Sequence, residues 1–91
     1  MRDKKFVIDS IKMDLLRIVT AVGNTTTNVS IASIKEFLDH ADSDFEKIDL
    51  DPREKSLREE LRDLRGDIDK VSNKKSQLIW AEDVLTIRSR L

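Results

Sequence analysis

Three side chains in the middle of the sequence have the types and spacing that metal binding or phosphoryl transfer requires. Glu36, His40 and Asp44 follow one another at intervals of four residues, so a helix places them on one surface. An imidazole between carboxylates can bind a divalent metal ion, and an exposed histidine can accept a phosphoryl group. The same positions lie on the polar side of the predicted helix, as is typical of a solvated face. We therefore predict no catalytic, cofactor or metal site and interpret the three residues as a face for a protein partner.

Two other charged clusters also favour structural roles over ligand binding. The acidic run "DSDFEKIDLD" (42–51) fails as a calcium-binding EF-hand loop, because Lys47 and Arg53 stand where that loop needs glycine and glutamate. Acidic residues are interleaved with the arginines that follow, which argues for a solvated helix face. The net charge of -1, from 17 basic and 18 acidic residues, implies no general attraction to nucleic acid or anionic membrane. The arginines in question are Arg53, Arg58, Arg62 and Arg65.

Composition and periodicity predict an all-α fold in a single domain covering 1–91. The chain has two glycines and one proline, and its apolar and charged residues each reach 38%. Apolar residues recur at helical spacing over about 3–22 and again over about 29–47, which predicts two amphipathic helices and a helix content above about 70%. The first stripe comprises Val7, Ile8, Ile11, Leu15, Ile18, Val19 and Val22, and the second Ile31, Ile34, Phe37, Leu38, Ala41, Phe45 and Ile48.

A third helix is predicted to begin at Pro52. Asp51 can cap it, proline suits its first position, and Glu54 stands where a capping-box acid belongs. Its apolar residues form two separate stripes. On a straight helix these stripes point in opposite directions, because the nine residues from Val71 to Trp80 make about two and a half turns. The first stripe has the heptad spacing of a coiled coil and comprises Leu57, Leu61, Leu64, Ile68 and Val71; the second comprises Trp80, Val84, Ile87 and Leu91.

Two arrangements reconcile these stripes. We expect the third helix to continue to about residue 90, with a length of about 58 Å, and its second stripe to be buried between copies of the chain, most simply in a dimer. The alternative is a break within 72–75, where Ser72 or Asn73 caps a fourth helix that folds back on the same chain. The predicted oligomer interface comprises Leu78, Trp80, Ala81, Val84, Leu85, Ile87 and Leu91.

These features predict a small non-enzymatic helical interaction protein. We expect it to self-associate through its C-terminal helix and to bind a protein partner of unknown identity, with no membrane contact. The alternatives are a phosphotransfer protein that uses His40 and, less favoured, a nucleic-acid-binding regulator. The N-terminal apolar stretch is interrupted by charged residues and does not form a signal peptide, so a cytoplasmic location is expected.

Overall fold

The computed structural model describes residues 3–23, 30–71 and 73–91. Helices account for 87% of the described residues, and no strand occurs among them. This confirms the predicted all-α class and helix content. The elements are α1 (Lys4–Gly23), α2 (Ile31–Phe45), α3 (Pro52–Asp67), a 3-10 helix (Ile68–Lys70) and α4 (Lys74–Arg90).

The four helices form an up-down-up-down bundle. Helix α1 packs against α2 and α4, while α3 packs against α2 and α4 on the opposite side. The antiparallel order of α1 and α4 is marked by two contacts: Lys74 donates to the carbonyl oxygen of Val22, and Arg88 Nε donates to that of Lys12 at 3.1 Å. The molecule measures 40 × 21 × 20 Å, so each helix has neighbours along most of its length.

The apolar stripes predicted from the sequence form the core. Burial of this surface is the main stabilising contribution to such a bundle, at roughly 25 cal/mol per Å². Both stripes of the C-terminal half face this one core. The buried apolar residues are Val7, Ile8, Ile11, Leu15, Ile18, Val22, Ile34, Leu38, Ala41, Phe45, Leu57, Leu61, Ile68, Trp80, Ala81, Val84 and Ile87.

Side-chain caps define the starts of α2 and α3. Ser30 accepts a hydrogen bond from the backbone N–H of Ser33, so α2 begins at residue 31 rather than near residue 29, which lies outside the described residues. Asp51 and Glu54 form a complete capping box ahead of Pro52, which confirms the predicted start of α3. These caps satisfy N–H groups that have no partner within the helix.

The expectation of a continuous third helix is wrong. The α-helix ends at Asp67, the 3-10 turn follows, and Val71 has extended backbone angles (φ −91°, ψ 99°). Asn73 then caps α4 by accepting a hydrogen bond from the N–H of Ser76 at 2.8 Å. Breaking the helix loses a few backbone hydrogen bonds but turns both apolar stripes toward one core. Full burial of each large apolar side chain stabilises the fold by about 1.5–3 kcal/mol, so burial outweighs the break.

The predicted oligomer interface also needs correction. Trp80, Ala81, Val84 and Ile87 are buried inside the single chain, with Trp80 only 4% exposed. The indole N–H of Trp80 donates to the carbonyl oxygen of Leu64 at 2.9 Å, so its polar atom is satisfied within the chain as well. These four residues are therefore unavailable to a second copy.

Candidate functional site

A cluster of ionisable side chains joins α1 to α2. His40 Nδ1 lies 2.5 Å from Asp14 Oδ2 and 3.7 Å from Asp44 Oδ2. The three donor atoms lie within 4.8 Å of one another. Both carboxylates are buried, with Asp14 and Asp44 each 3% exposed, whereas the side chain of His40 is 58% exposed. The two carboxylates thus form the buried side of the cluster, and the imidazole forms its solvent-exposed side.

Helix geometry explains how the carboxylates reach this position. Asp14 stands seven residues after Val7 and three after Ile11, so it lies on the edge of the apolar face of α1. Asp44 likewise follows Ala41 by three residues on α2. Because α1 and α2 are antiparallel, these positions meet across the helix interface.

Neighbouring polar groups contact the oxygens of both carboxylates. Lys47 Nζ donates to Asp44 Oδ1 at 2.8 Å, and Arg17 lies 3.4 Å from Asp14 Oδ1. Ser10 Oγ donates to Asp44 Oδ2 at 3.0 Å. Burial raises the pKa of Asp44, but the hydrogen bonds from Lys47 and Ser10 and the charge of His40 outweigh it, so the pKa is lowered from its ordinary value. Asp44 is consequently held as a carboxylate.

The structure changes the set of residues that the sequence suggested. Glu36 is exposed and is not one of the three grouped residues; Asp14 of α1 takes that place. Asp44 is buried, so the prediction that Glu36, His40 and Asp44 together form a solvated partner face is wrong. The sequence did contain a sign that Asp14 is unusual, because this acidic residue lies at the edge of the apolar face of α1.

A second charged cluster joins α2 to α3. Arg58 and Arg62 both donate from Nε to Asp42 Oδ1 at 2.9 Å, and Arg65 donates to Asp39 at 2.6 Å. The hydrogen bond from Arg58 is the largest cause of a pKa of about 2 for Asp42, with Arg62 adding to it against the effect of burial. These arginines are engaged by α2 rather than presented to a polyanion.

Other charged residues in and beside the acidic run of 42–51 also have structural partners. Glu46 accepts from Arg58 at 3.0 Å, while Asp51 caps α3. Arg53 donates to the carbonyl oxygen of Arg90 at the end of α4. Each of these groups has a structural partner, in keeping with the interpretation of the run as helix capping and charge pairing.

The outer side of α4 carries an apolar stripe that the described part of the chain leaves partly exposed. Leu78 and Leu85 are each 43% exposed, and both lie on the side away from the core-facing Val84. Lys75 and Glu82 are exposed and alternate with them at intervals of three and four residues. Other large apolar side chains exposed among the described residues are Phe6, Met13, Leu16 and Ile79.

Comparison with protein families, with curated proteins and with solved structures found no match to this chain. Within the described ranges, no helix combines the length and apolar content needed to cross a bilayer.

Proposed function

We propose that the protein is a small non-enzymatic interaction module in which two copies pair through the outer side of α4. The observation that supports this is the exposed stripe Lys75, Leu78, Glu82 and Leu85, whose spacing of three, four and three residues matches that of a coiled-coil seam. Leu78 and Leu85 belong to the interface predicted from the sequence. The proposed interface replaces the buried Trp80 stripe with this outer one.

Charge complementarity favours a second copy of the chain, in antiparallel orientation, as the partner that covers this stripe. When two α4 helices pair antiparallel about the midpoint between Leu78 and Ile79, Lys75 of each copy lies opposite Glu82 of the other and Leu78 of each copy lies beside the two-fold axis. Parallel pairing instead places Lys75 opposite Lys75 and Glu82 opposite Glu82. Like charges at such a seam oppose association, so the stripe favours the antiparallel dimer.

The association is expected to be weak. Leu78 is already about half-buried, so its complete burial in each copy contributes on the order of 1 kcal/mol. Lost rotational and translational freedom opposes this gain, and exposed ion pairs contribute about 0.2–1 kcal/mol each. The dimer therefore forms at high protein concentration and dissociates on dilution.

Sedimentation equilibrium of the full chain up to about 1 mM at low salt tests this proposal. Lys75→Glu and Glu82→Lys each create like charges across the seam, so each variant should weaken dimerisation several-fold, by the typical exposed-pair energy. The double variant restores opposite charges and should recover it. Lys55→Glu makes the same charge change on an exposed residue of α3 and should leave dimerisation unaltered.

Two results would overturn the α4 dimer. One is a wild-type protein that stays monomeric over the whole concentration range. The other is a dimer whose dissociation constant is the same in wild type, Lys75→Glu and Glu82→Lys, because the seam would then lie elsewhere.

A second candidate function, phosphoryl transfer through His40, is favoured by one observation. Asp14 engages Nδ1, which leaves Nε2 on the exposed side of the ring and without a hydrogen bond to any described residue. A carboxylate that accepts from Nδ1–H sets this tautomer and makes Nε2 the nucleophile. Attack of Nε2 on phosphoramidate would form an N–P bond and release ammonia.

Incubation with phosphoramidate separates this candidate from the first. If His40 is a phosphoacceptor, ³¹P NMR should show one acid-labile phosphohistidine signal that is absent from His40→Gln. Absence of that signal from the wild-type protein would rule out reactivity of this kind at His40 and would leave the α4 dimer unaffected.

A further inference from the structure

We propose that Asp14, His40 and Asp44 form a binding site for one divalent transition-metal ion of the Zn²⁺ class. The site joins α1 to α2 and is distinct from the outer side of α4. Three different donor groups converge there: two buried carboxylates and one imidazole that reaches solvent.

The inner oxygens of the two carboxylates are directed at the imidazole. Lys47 and Arg17 contact the Oδ1 atoms, whereas the Oδ2 atoms of both aspartates face His40 Nδ1, with Ser10 Oγ also donating to Asp44 Oδ2. The carboxylates are thus oriented by outer hydrogen bonds, as the ligands of metal sites usually are. Two carboxylates also match the charge of a dication.

The distances are close to those of a coordinated ion. Zn²⁺ binds imidazole nitrogen and carboxylate oxygen at about 2.0–2.2 Å, so neighbouring ligand atoms in a tetrahedral site are about 3.3 Å apart. The 3.7 Å between His40 Nδ1 and Asp44 Oδ2 is near this value. The 2.5 Å to Asp14 Oδ2 must lengthen by a little under 1 Å, and the exposed imidazole can make that movement.

Metal binding at His40 Nδ1 releases one proton. The proton that Nδ1 shares with Asp14 leaves to solvent, and the nitrogen lone pair then coordinates the ion. Water completes the coordination on the exposed side of the ring. Among divalent cations, Mg²⁺ and Ca²⁺ prefer all-oxygen surroundings, whereas imidazole with carboxylate suits Zn²⁺.

Calorimetric titration of the full-length protein with ZnCl₂ tests the site. The wild-type protein should bind one Zn²⁺ per chain, and Mg²⁺ should not compete. His40→Gln and Asp14→Asn should each weaken binding at least about tenfold, since each removes one of three ligands. Glu36→Gln is the matched control, because Glu36 is an exposed acid one helical turn from His40, and it should bind as the wild type does.

Two further measurements keep the test independent of folding. Circular dichroism verifies that each variant is helical, and His40→Gln changes an exposed side chain, so it should fold even if Asp14→Asn does not. In the wild-type protein, Zn²⁺ should also shift the imidazole NMR signals of His40. The proposal is overturned if Zn²⁺ shows no saturable binding, if folded His40→Gln binds with wild-type affinity, or if the His40 signals do not move.

Discussion

Asp42 is a residue through which the bundle should be sensitive to acid. Its pKa is lowered from 3.8 to about 2, first by the hydrogen bond from Arg58 and then by Arg62. A group whose folded pKa is depressed stabilises the fold above its unfolded pKa, and this contribution is lost as the pH falls through the folded value. The window for Asp42 therefore runs from about pH 4 down to about pH 2.

We predict that Asp42→Asn lowers the free energy of unfolding at pH 7 by about 1–2 kcal/mol, after allowance for solvent screening of this partly exposed side chain. The variant should also lose less stability than the wild type between pH 4 and pH 2. Urea denaturation at several pH values measures both effects. Equal losses in the two proteins over this window would contradict the prediction.

The candidate site shows how far single residues could be understood from the sequence. His40 and Asp44 were identifiable because they lie one helical turn apart. Asp14 was not connected with them, since its partner stands 26 positions along the chain and only the antiparallel packing of α1 on α2 brings the two together. The helical spacing of the sequence also placed Asp44 on the polar side of α2, whereas the tight approach of α1 buries it.

At the scale of elements, the cap at Asn73 determines where α4 begins. Its side-chain oxygen accepts from Ser76 N–H, and Asn73 itself is extended (φ −126°, ψ 167°). We predict that Asn73→Ala destabilises the protein by about 1 kcal/mol, because an N–H group of the first turn loses its partner. Asn73→Ser retains a capping oxygen and should stay close to the wild type. Urea denaturation of the three proteins tests this, and equal stability of Asn73→Ala and wild type would contradict it.

Helix positions were largely predictable because the caps and the apolar periodicity are local. Asp51 and Pro52 mark the start of α3 in the sequence itself, whereas the Ser30 cap of α2 was not identified from it. The break was not the expected arrangement, because no glycine or proline stands within 72–75; α3 in fact ends earlier, at Asp67, directly after Gly66. The two opposed apolar stripes were the informative signal for the break. Burying both within one chain has a lower entropic cost than recruiting a second chain to cover one of them.

At the scale of the whole molecule, Trp80 reports whether the C-terminal helix folds back on its own chain. Trp80 is 4% exposed, and its indole N–H donates a hydrogen bond to the carbonyl oxygen of Leu64. Its environment is therefore independent of any second copy. We predict a blue-shifted fluorescence maximum that stays constant from about 1 µM to about 1 mM protein. A shift to longer wavelength on dilution would show that burial requires association.

Removal of this side chain should affect the whole bundle. We predict that Trp80→Ala lowers the free energy of unfolding by about 3–5 kcal/mol, because it leaves a cavity and removes the hydrogen bond to the carbonyl oxygen of Leu64. Ile79→Ala, at the neighbouring residue that is 53% exposed, should change stability by less than about 1 kcal/mol. Urea denaturation compares the two, and a similar loss in both variants would contradict the buried position of Trp80.

The up-down-up-down order also bears on how rapidly the chain folds. Three of the four helix-helix contacts join elements that are consecutive in sequence, and such local contacts favour fast folding. The contact between α1 and α4 is the exception, since Arg88 and Lys12 are separated by 76 positions. Closing that long loop has the largest entropic cost, so the contact should form late on the folding pathway. Substitutions at it should then act mainly on the unfolding rate and leave the folding rate almost unchanged.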